Sequence, residues 1–405
     1  MKLLLVTDAY PPEIRSSSHL MVELAEGLRD LGHSMTVLTG WPGSNLDETA
    51  PSRVIEQSMT ENGIHVIRVK TWSHHSVGYF KRGFAQLQIP RQFLAGLRRH
   101  TSDAFDGVIV YSPPLPMSFI GEAVHRTGAR YILNVQDIFP QNAIDLGVLT
   151  NPLIIGFFRW MERRAYRQAD VVTAHSENNK AMLATANPEI AGKLTVVHNW
   201  VDSEQFKSGP LVEDFRSTYG LHGKYVVVYG GVIGPAQGLD VVLEIAARLR
   251  DLDGLIFLIV GDGLEKPPLI ERAQRENLTN VMFRPFVSRD RYAVLLRSAD
   301  AGFLTLSEKM KTPVVPGKLL GYMAAGLPAF AFVNKESDAH AMIAQAGCGF
   351  SCTPDRADEA AAAVRRAYND RDWGRECGRR GHEYVVAHLS RNVIVKQIEA
   401  LIARS

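Results

Sequence analysis

The sequence predicts an α/β protein made of two doubly wound, Rossmann-like domains, and three observations carry this. Short apolar runs alternate with helix-spaced amphipathic segments along nearly all of the 405 residues. The alternation fades after Asn199 and restarts near residue 224. The length, at ~100–200 residues per domain, asks for two or three separate cores. Repeated strand–helix units imply parallel sheets with helices on both faces.

Residues 2–7 form a short apolar run ended by a Pro-rich turn, as expected for a strand buried on both faces. Ser16, Ser17 and Ser18 are placed to cap a helix in which Leu20, Leu24, Leu28 and Leu31 recur, and Gly32 stops it. Further strands are expected over 35–39, 64–69, 108–111, 131–135, 171–173 and 194–197. In the second half strands are expected over 225–229, 255–260, 281–283, 301–306 and 329–332, with helices over 239–249 and 318–325. Three helices over 357–368, 371–388 and 391–403 close the chain. The expected domains are therefore 1–199, joined by a linker 200–223 to 224–389, with a final helix of about 390–405 returning to the first domain. Sheets of this kind bind ligands beyond the carboxyl ends of their strands, so the cleft between the domains is the default site.

Composition narrows the function. With 46% hydrophobic and 22% charged residues the chain is neither disordered nor collagen-like. Lys+Arg 45 against Asp+Glu 43 leaves a formal charge of +2, so no nucleic-acid partner is expected. Cys348, Cys352 and Cys377 cannot all pair, which suits a reducing compartment. Cys348 and Cys352 lack a second ligand pair, so they read as structural rather than zinc-binding. No segment approaches the ~20 apolar residues of a membrane span. Asp8 and Pro11-Pro12-Glu13 end the apolar start before it reaches signal-peptide length, and a soluble, cytoplasmic protein is expected.

The loops point to an anionic ligand. Strand 225–229 runs into Gly230-Gly231-Val232-Ile233-Gly234-Pro235-Ala236-Gln237-Gly238 and then a helix. Such glycines let backbone approach a ligand while the helix N-terminus offers unpaired N–H groups, although a tight turn would use the same residues. Neither G-x-G-x-x-G nor G-K-[ST] is matched, which argues against nicotinamide and P-loop chemistry. Gly261-Asp262-Gly263 closes another strand and reads as a second ligand loop or a plain turn. Pro316-Gly317 opens a helix with Lys318 in its first turn. A cation there opposes the helix dipole unless an anion such as a diphosphate is bound; otherwise it simply reaches solvent.

With these motifs on view, the chain resembles the bacterial retaining glycosyltransferases of family 4, which have the two-domain GT-B fold. Within them it is most similar to the branch serving surface-polysaccharide synthesis, such as colanic-acid and fucosamine transferases. The resemblance spans nearly the whole chain. It rests on Tyr10-Pro11-Pro12-Glu13, Leu31 to Thr39, Gln136-Asp137-Ile138-Phe139-Pro140, Ala169 to Glu177 and His198-Asn199-Trp200-Val201-Asp202 with Phe206. In the second half it rests on Gly234-x-Ala236-Gln237-Gly238-Leu239, Gly261-Asp262-Gly263 and Lys318-Leu319-Leu320-x-Tyr322-Met323-Ala324-Ala325-Gly326-Leu327-Pro328. Two glutamates common in the family, the second binding the nucleotide ribose, correspond here to Pro313 and Gly321. Val232 and Gln237 stand in for a frequent basic pair. Loss of the ribose acid would cost about 1–3 kcal/mol; either water or another acid, with Glu308 and Glu336 as candidates, substitutes, or the donor site is altered. The loop Arg15-Ser16-Ser17-Ser18 replaces paired glycines of many relatives.

The resemblance implies a hexosyl- or N-acetylaminosugar transferase that uses a nucleoside-diphosphate sugar, with UDP as the expected base, and retains anomeric configuration. Its acceptor would be a lipid-linked or glycan molecule in lipopolysaccharide or exopolysaccharide synthesis. The donor would be held by Gly231, Gly234, Gln237, Gly263, Pro316, Gly317 and Lys318, which stabilise the departing diphosphate. Asp137, in the loop after strand 131–135, is the catalytic candidate. It would act as general base or position the acceptor hydroxyl, though it would equally serve as a turn cap. Ser16, Ser17 and Ser18 form the first-domain loop expected at the acceptor. His33, His175 and His198 read as structural. Asp251-Leu252-Asp253 has the form of a metal-binding D-x-D but joins a helix to a strand, so a polar turn, no metal and no required cofactor are expected.

Between Asn62 and Ser102 there is no acidic residue, while Arg68, Lys70, Lys81, Arg82, Arg91, Arg98 and Arg99 occur with Trp72, Tyr79, Phe80 and Phe93. Basic and aromatic residues together suit peripheral contact with an anionic membrane, at the inner leaflet if the acceptor is lipid-linked. Arg159, Trp160, Arg163, Arg164 and Arg167 would extend that face; a solvated basic surface is the alternative. The loss of acids at Gly321 and Pro313 also admits a catalytically silent GT-B protein that binds nucleotide sugar or a partner transferase.

Overall fold

The computed structural model of the chain describes all residues except 14, 44–45, 47–53, 72–78, 207–212 and 404–405, and for 16, 79–86 and 289–290 the backbone alone. It divides into two compact units, Met1–Asn199 with Arg391–Ser405, and Trp200–Ser390.

The first unit holds eight strands: β1 (Lys2–Val6), β2 (Ser34–Gly40), β3 (Ser58–Glu61), β4 (Ile64–Val69), β5 (Gly107–Ser112), β6 (Arg130–Val135), β7 (Val171–Ala174) and β8 (Leu194–Val196). Their order is β3-β4-β2-β1-β5-β6-β7-β8, and every pairing is parallel except β3 with β4. Central β1 explains its own sequence: Leu3, Leu4, Leu5 and Val6 are all fully buried because helices cover both faces. Strand β3, with the polar sequence Ser-Met-Thr-Glu, is absent from the sequence-based expectation. Asn62 and Gly63, with φ of 47° and 76°, turn it back on β4 as a two-residue hairpin.

Helices α1 (Ser16–Asp30), α2 (Tyr79–His100), α3 (Ser118–His125), α4 (Gln141–Asp145), α5 (Pro152–Gln168) and α6 (Glu177–Ala186) complete this unit with the C-terminal helix Arg391–Ala403. Phe93 of α2, Ile120 of α3, Tyr166 of α5 and Leu183 of α6 share one core with Leu4, Val110 and Leu133. These four helices therefore lie on one face of the sheet. The C-terminal helix meets α1, where a β-carbon on Gly27 would lie 2.7 Å from Val395 Cγ2. Two expectations for α1 need correction. Its buried stripe is Met21, Leu24, Ala25 and Leu28, with Leu31 exposed. The three serines lie inside the first turn, behind Arg15 at the N-cap, which gives no side-chain cap; Ser17 and Ser18 are buried there.

The second unit contains α7 (Phe215–Tyr219), β9 (Tyr225–Gly230), α8 (Asp240–Arg248), β10 (Leu255–Val260), α9 (Lys266–Arg275), β11 (Val281–Arg284), α10 (Arg289–Arg297), β12 (Ala301–Thr305), α11 (Gly317–Ala324), β13 (Ala329–Phe332), α12 (Ala339–Ala346), β14 (Gly349–Cys352), α13 (Ala357–Asn369) and α14 (Arg371–Tyr384). Its parallel sheet runs β11-β10-β9-β12-β13-β14. The C-terminal part of the stretch expected as a linker folds here: Phe215 on α7 is fully buried in the core beside Val226 and Val228. Helix α14 runs to Tyr384 and continues directly into a π-turn, Val385–Leu389, so the stretch expected as a helix over 371–388 is helical throughout but widens in its last turn. Edge strand β14, too short to register as an apolar run, carries Cys352; all three cysteines are free and buried. Strand order reverses at β1 in one unit and at β9 in the other, which makes the loops after these strands the natural ligand loops.

Candidate active site

In the second unit the loop after β9 is built on its neighbour's backbone. Gly231 donates its N–H to Val260 (2.9 Å), and Ile233 donates to the carbonyl of Asp262 (2.8 Å). A β-carbon on Gly261 would stand 1.8 Å from Gly231 O, and one on Gly263 2.1 Å from Ile233 O. Gly261-Asp262-Gly263 is thus more than a turn: the lack of side chains at Gly261 and Gly263 lets the two loops interlock. Gln237 braces the same loop, its Oε1 accepting from the Gly234 N–H at 3.2 Å and its carbonyl from Thr305 Oγ1 at 2.5 Å.

Because β12 lies beside β9, the helix that follows it, α11, reaches the same loop. Pro316 occupies the N-cap without a side-chain cap, and a β-carbon on Gly317 would meet nothing within 4 Å, so the first turn is uncovered. Lys318 folds back over the glycines: a β-carbon on Gly231 would be 2.7 Å from its Cε and 3.1 Å from its Nζ. Nζ lies 4.8 Å from the centre of the Tyr229 ring. No carboxylate pairs with it among the described residues, and desolvation pulls its pKa down to about 8. A desolvated ammonium beside the uncapped first turn of α11 has the character of a candidate anion site.

Tyr292 of α10 was invisible to the sequence reading, since only the fold brings it here. Its ring is wedged between β9 and α11: a β-carbon on Gly230 would be 2.5 Å from its Cε2, and one on Gly321 3.5 Å from its Cε1. A β-carbon at 321 would therefore sit in ordinary contact with an aromatic ring. Of the candidate substitutes, Glu308 is exposed, and Glu336 is engaged by Asn334 (3.1 Å) and Lys335 (3.9 Å).

In the first unit, the loops after β1, β5 and β6 converge. Asp137 follows β6 in a turn closed by the Phe139 N–H to its carbonyl (3.0 Å), and Asn142 Nδ2 approaches its Oδ1 at 3.3 Å. The carboxylate reaches solvent, yet desolvation by its surroundings raises its pKa. Tyr111, at the end of β5, senses the charges of both Asp137 and Asp8, and Ser17 hydrogen-bonds its phenol. Arg15 binds Asp8 (3.3 Å) and buried Glu13 (2.7 Å). Desolvation, the leading influence, raises the Glu13 pKa while Arg15 opposes it. The sequence analysis named Asp8 and Glu13 without giving them a site role and did not name Tyr111; charged residues directly after a buried switch-point strand were the available signal. Gln136, beside Asp137, accepts from Asn199 Nδ2 (2.8 Å) and donates to Asn134 (2.8 Å), which joins two of the quoted motifs. A cavity of about 170 Å³ lies beside this loop, lined by Ile138, Gln141, Arg159, Glu162, Arg163 and Asn187 among others.

Residues 19–200 match the Glycosyl transferase 4-like domain and residues 212–384 the Glycosyl transferases group 1 domain. The chain belongs to the family 4 glycosyltransferases. It is similar to WcaI of Escherichia coli K12, whose name assigns it to glycosyl transfer in colanic acid biosynthesis: 27% identity, covering 80% of this chain and 82% of that protein. Sucrose-phosphate synthase from Thermosynechococcus elongatus matches over 99% of this chain and 98% of that one, with a TM-score of 0.77 and 16% identity. HepE of Anabaena, solved with UDP, matches over the full length of both chains with a TM-score of 0.72 and 16% identity. At this identity the two structures establish the GT-B fold.

In this glycosyltransferase the three histidines are structurally engaged. His33 contacts Glu399 (2.9 Å), His198 the carbonyl of His175 (3.0 Å), and buried His175 is met by Asn179 (3.1 Å). Asp251 of the D-x-D look-alike is held in a two-pronged pair by Arg365 (2.6 and 2.8 Å). Among the described residues no three His, Cys, Asp or Glu side chains cluster to hold a metal, and no helix is long and apolar enough to cross a membrane. The basic segment is less uniform than its sequence. Arg68 is buried and paired with Glu61, Lys70 lies over Trp41, and Phe93 is core. Arg91, Arg98 and Arg99 are exposed along α2. Trp72 and the side chains of Ser16, Tyr79, Phe80, Lys81 and Arg82 lie outside the described residues.

Proposed function

We propose that this glycosyltransferase moves a sugar, with retention, from a UDP-sugar to a lipid-linked glycan acceptor in surface-polysaccharide biosynthesis. The observation that carries the donor half is Lys318, a desolvated ammonium lying over Gly231 and paired with no carboxylate among the described residues. A diphosphate supplies the opposite charge, and the N–H groups of the α11 start bind its oxygens as negative charge builds on the leaving group, while the glycine loop, whose Gly231 and Gly234 N–H groups are bonded within the protein, lets it come close. UDP is the nucleotide favoured by likeness to the HepE complex, and colanic acid biosynthesis in the name of WcaI favours a surface glycan.

Asp137 is assigned to the acceptor hydroxyl, either taking its proton or orienting it while the departing phosphate takes the proton. A raised pKa makes the carboxylate a stronger base than an ordinary aspartate. No protein carboxylate is assigned to the ribose, because the position of the family's acid is Gly321, Glu308 is exposed and Glu336 is engaged by Asn334 and Lys335. The test is nucleotide release from a panel of UDP- and GDP-sugars with and without lipid extract. Sustained UDP release that needs both donor and lipid is expected. Failure of UDP, GDP and their sugars to bind at millimolar concentration by calorimetry would overturn the proposal.

A further inference from the structure

Helix α5 presents an outward stripe that the fold leaves uncovered. Leu153, Phe157 and Trp160, at i, i+4 and i+7, are 85%, 40% and 49% exposed, and the preceding loop adds exposed Leu146 and Val148. Thus five large apolar side chains face solvent within fifteen consecutive residues, with the Phe157 and Trp160 rings stacked at 6.0 Å. Toward its C-terminal end the same helix turns basic. Arg164 pairs with Glu122 and Arg167 with Glu189, whereas Arg163 has no ion-pair partner among the described residues. At ~1.5 Å per residue, Leu153 and Arg163 are ~15 Å apart along the axis. Helices α2 and α5 cover the same face of the sheet, so exposed Arg91, Arg98 and Arg99 of α2 belong to the same outer layer.

We infer that the α4–α5 segment is the membrane seat of this protein. Leu153, Phe157 and Trp160 enter the interface of an anionic bilayer, and Arg163, with the α2 arginines, meets lipid phosphates. Apolar and aromatic side chains followed by unpaired arginines match the layering of acyl region and headgroups. The choice of a bilayer over a second copy of the chain follows from this charge: a self-facing copy would bring Arg163 and the α2 arginines against like charge. The seat is coupled to the candidate acceptor loop. Phe158, next to the stripe, packs edge-on against Phe139 at 4.9 Å, two residues from Asp137, and Arg163 lines the cavity beside that loop. The consequence for an acceptor rests on the proposed function: a lipid-borne diphosphate would arrive at Asp137 from the surface on which α5 sits.

The test is flotation of the full chain with phosphatidylglycerol-containing vesicles, with phosphatidylcholine vesicles and without lipid. Wild type is expected to float with the anionic vesicles at least about tenfold better than with phosphatidylcholine. The triple variant Leu153→Ser, Phe157→Ser, Trp160→Ser, all surface positions, is expected to lose about tenfold or more of that binding while keeping its circular dichroism and its UDP affinity. Wild type that stays unbound, a triple variant that floats as well as wild type, or a wild-type dimer that the triple variant dissolves without change in flotation would each overturn the inference. Flotation needs no turnover, so inactivity on every acceptor would count against the proposed function alone.

Discussion

The Lys318 ammonium stands 4.8 Å from the centre of the Tyr229 ring, over backbone that has no side chain to contest the space. An aromatic face returns about 0.5–2 kcal/mol to a cation that has lost water, less than a carboxylate would. Its pKa of about 8 records that deficit.

Replacing Lys318 with Ala is expected to raise the UDP dissociation constant about 10- to 100-fold, the loss of one charge-assisted hydrogen bond, and to leave the thermal midpoint nearly unchanged. The sign of the pH effect follows from the lowered pKa. Below pH 8 the ammonium is already formed; above it the free protein must take up a proton to bind the diphosphate. Affinity should therefore fall from pH 8 to 9.5, with proton uptake visible by calorimetry in buffers of different ionisation heat. An unaltered UDP affinity in the variant removes Lys318 from the donor site.

For Asp137→Asn, turnover should drop about 10²–10⁴-fold with UDP affinity held within about twofold. Desolvation raises the carboxyl pKa, so wild-type turnover should decline on the acid side at a higher pH than for a free aspartate. That acid limb should be missing from the residual activity of the variant. Wild-type rates in the variant would end the catalytic assignment.

Gly263 and Gly321 make a contrasting pair. A methyl at 263 would stand 2.1 Å from a carbonyl oxygen and must push the two glycine loops apart, whereas one at 321 would touch Tyr292 at an ordinary 3.5 Å. Gly263→Ala should lose ~2 kcal/mol or more of stability and most UDP affinity. Gly321→Ala should be within about 1 kcal/mol of wild type, helped by helix propensity. Denaturant melts and UDP titrations on both proteins decide it; equal losses would contradict the geometry.

Buried His175 has its pKa pushed down to about 4 by desolvation, against an ordinary 6.5. The unfolded chain therefore takes up a proton as pH falls through 6.5 while the folded chain resists until about 4. Stability is full above pH 6.5 and declines by about 3 kcal/mol over that window. His175→Gln should flatten the decline in urea melts between pH 7 and 4.5. An unchanged slope would mean the ring is not the titrating group.

Much of the fold was legible because buried strands are short apolar runs and amphipathic helices repeat at 3.6 residues. Strand β3 escaped because its pairing comes from the Asn62-Gly63 turn rather than from hydrophobicity, and β14 because four residues make too short a run. Of the candidate site, the glycine loops, Lys318 and Asp137 were legible as candidates in the chain, since each sits directly where a strand ends or a helix begins. Tyr292 was not, being 29 positions from Gly321 in sequence.

By itself, the amino-acid sequence determined the alternation, the chemistry available at each strand end and the family to which the chain belongs, because these depend on residues close together along the backbone. Tertiary structure alone decided that Gly261 and Gly263 seat the first glycine loop, that the Tyr292 ring lies beside Gly321, that Phe93 and Arg68 are interior, and that Trp160 is not. Those outcomes depend on which elements become neighbours, and the packing that sets them joins residues with no fixed spacing in the chain.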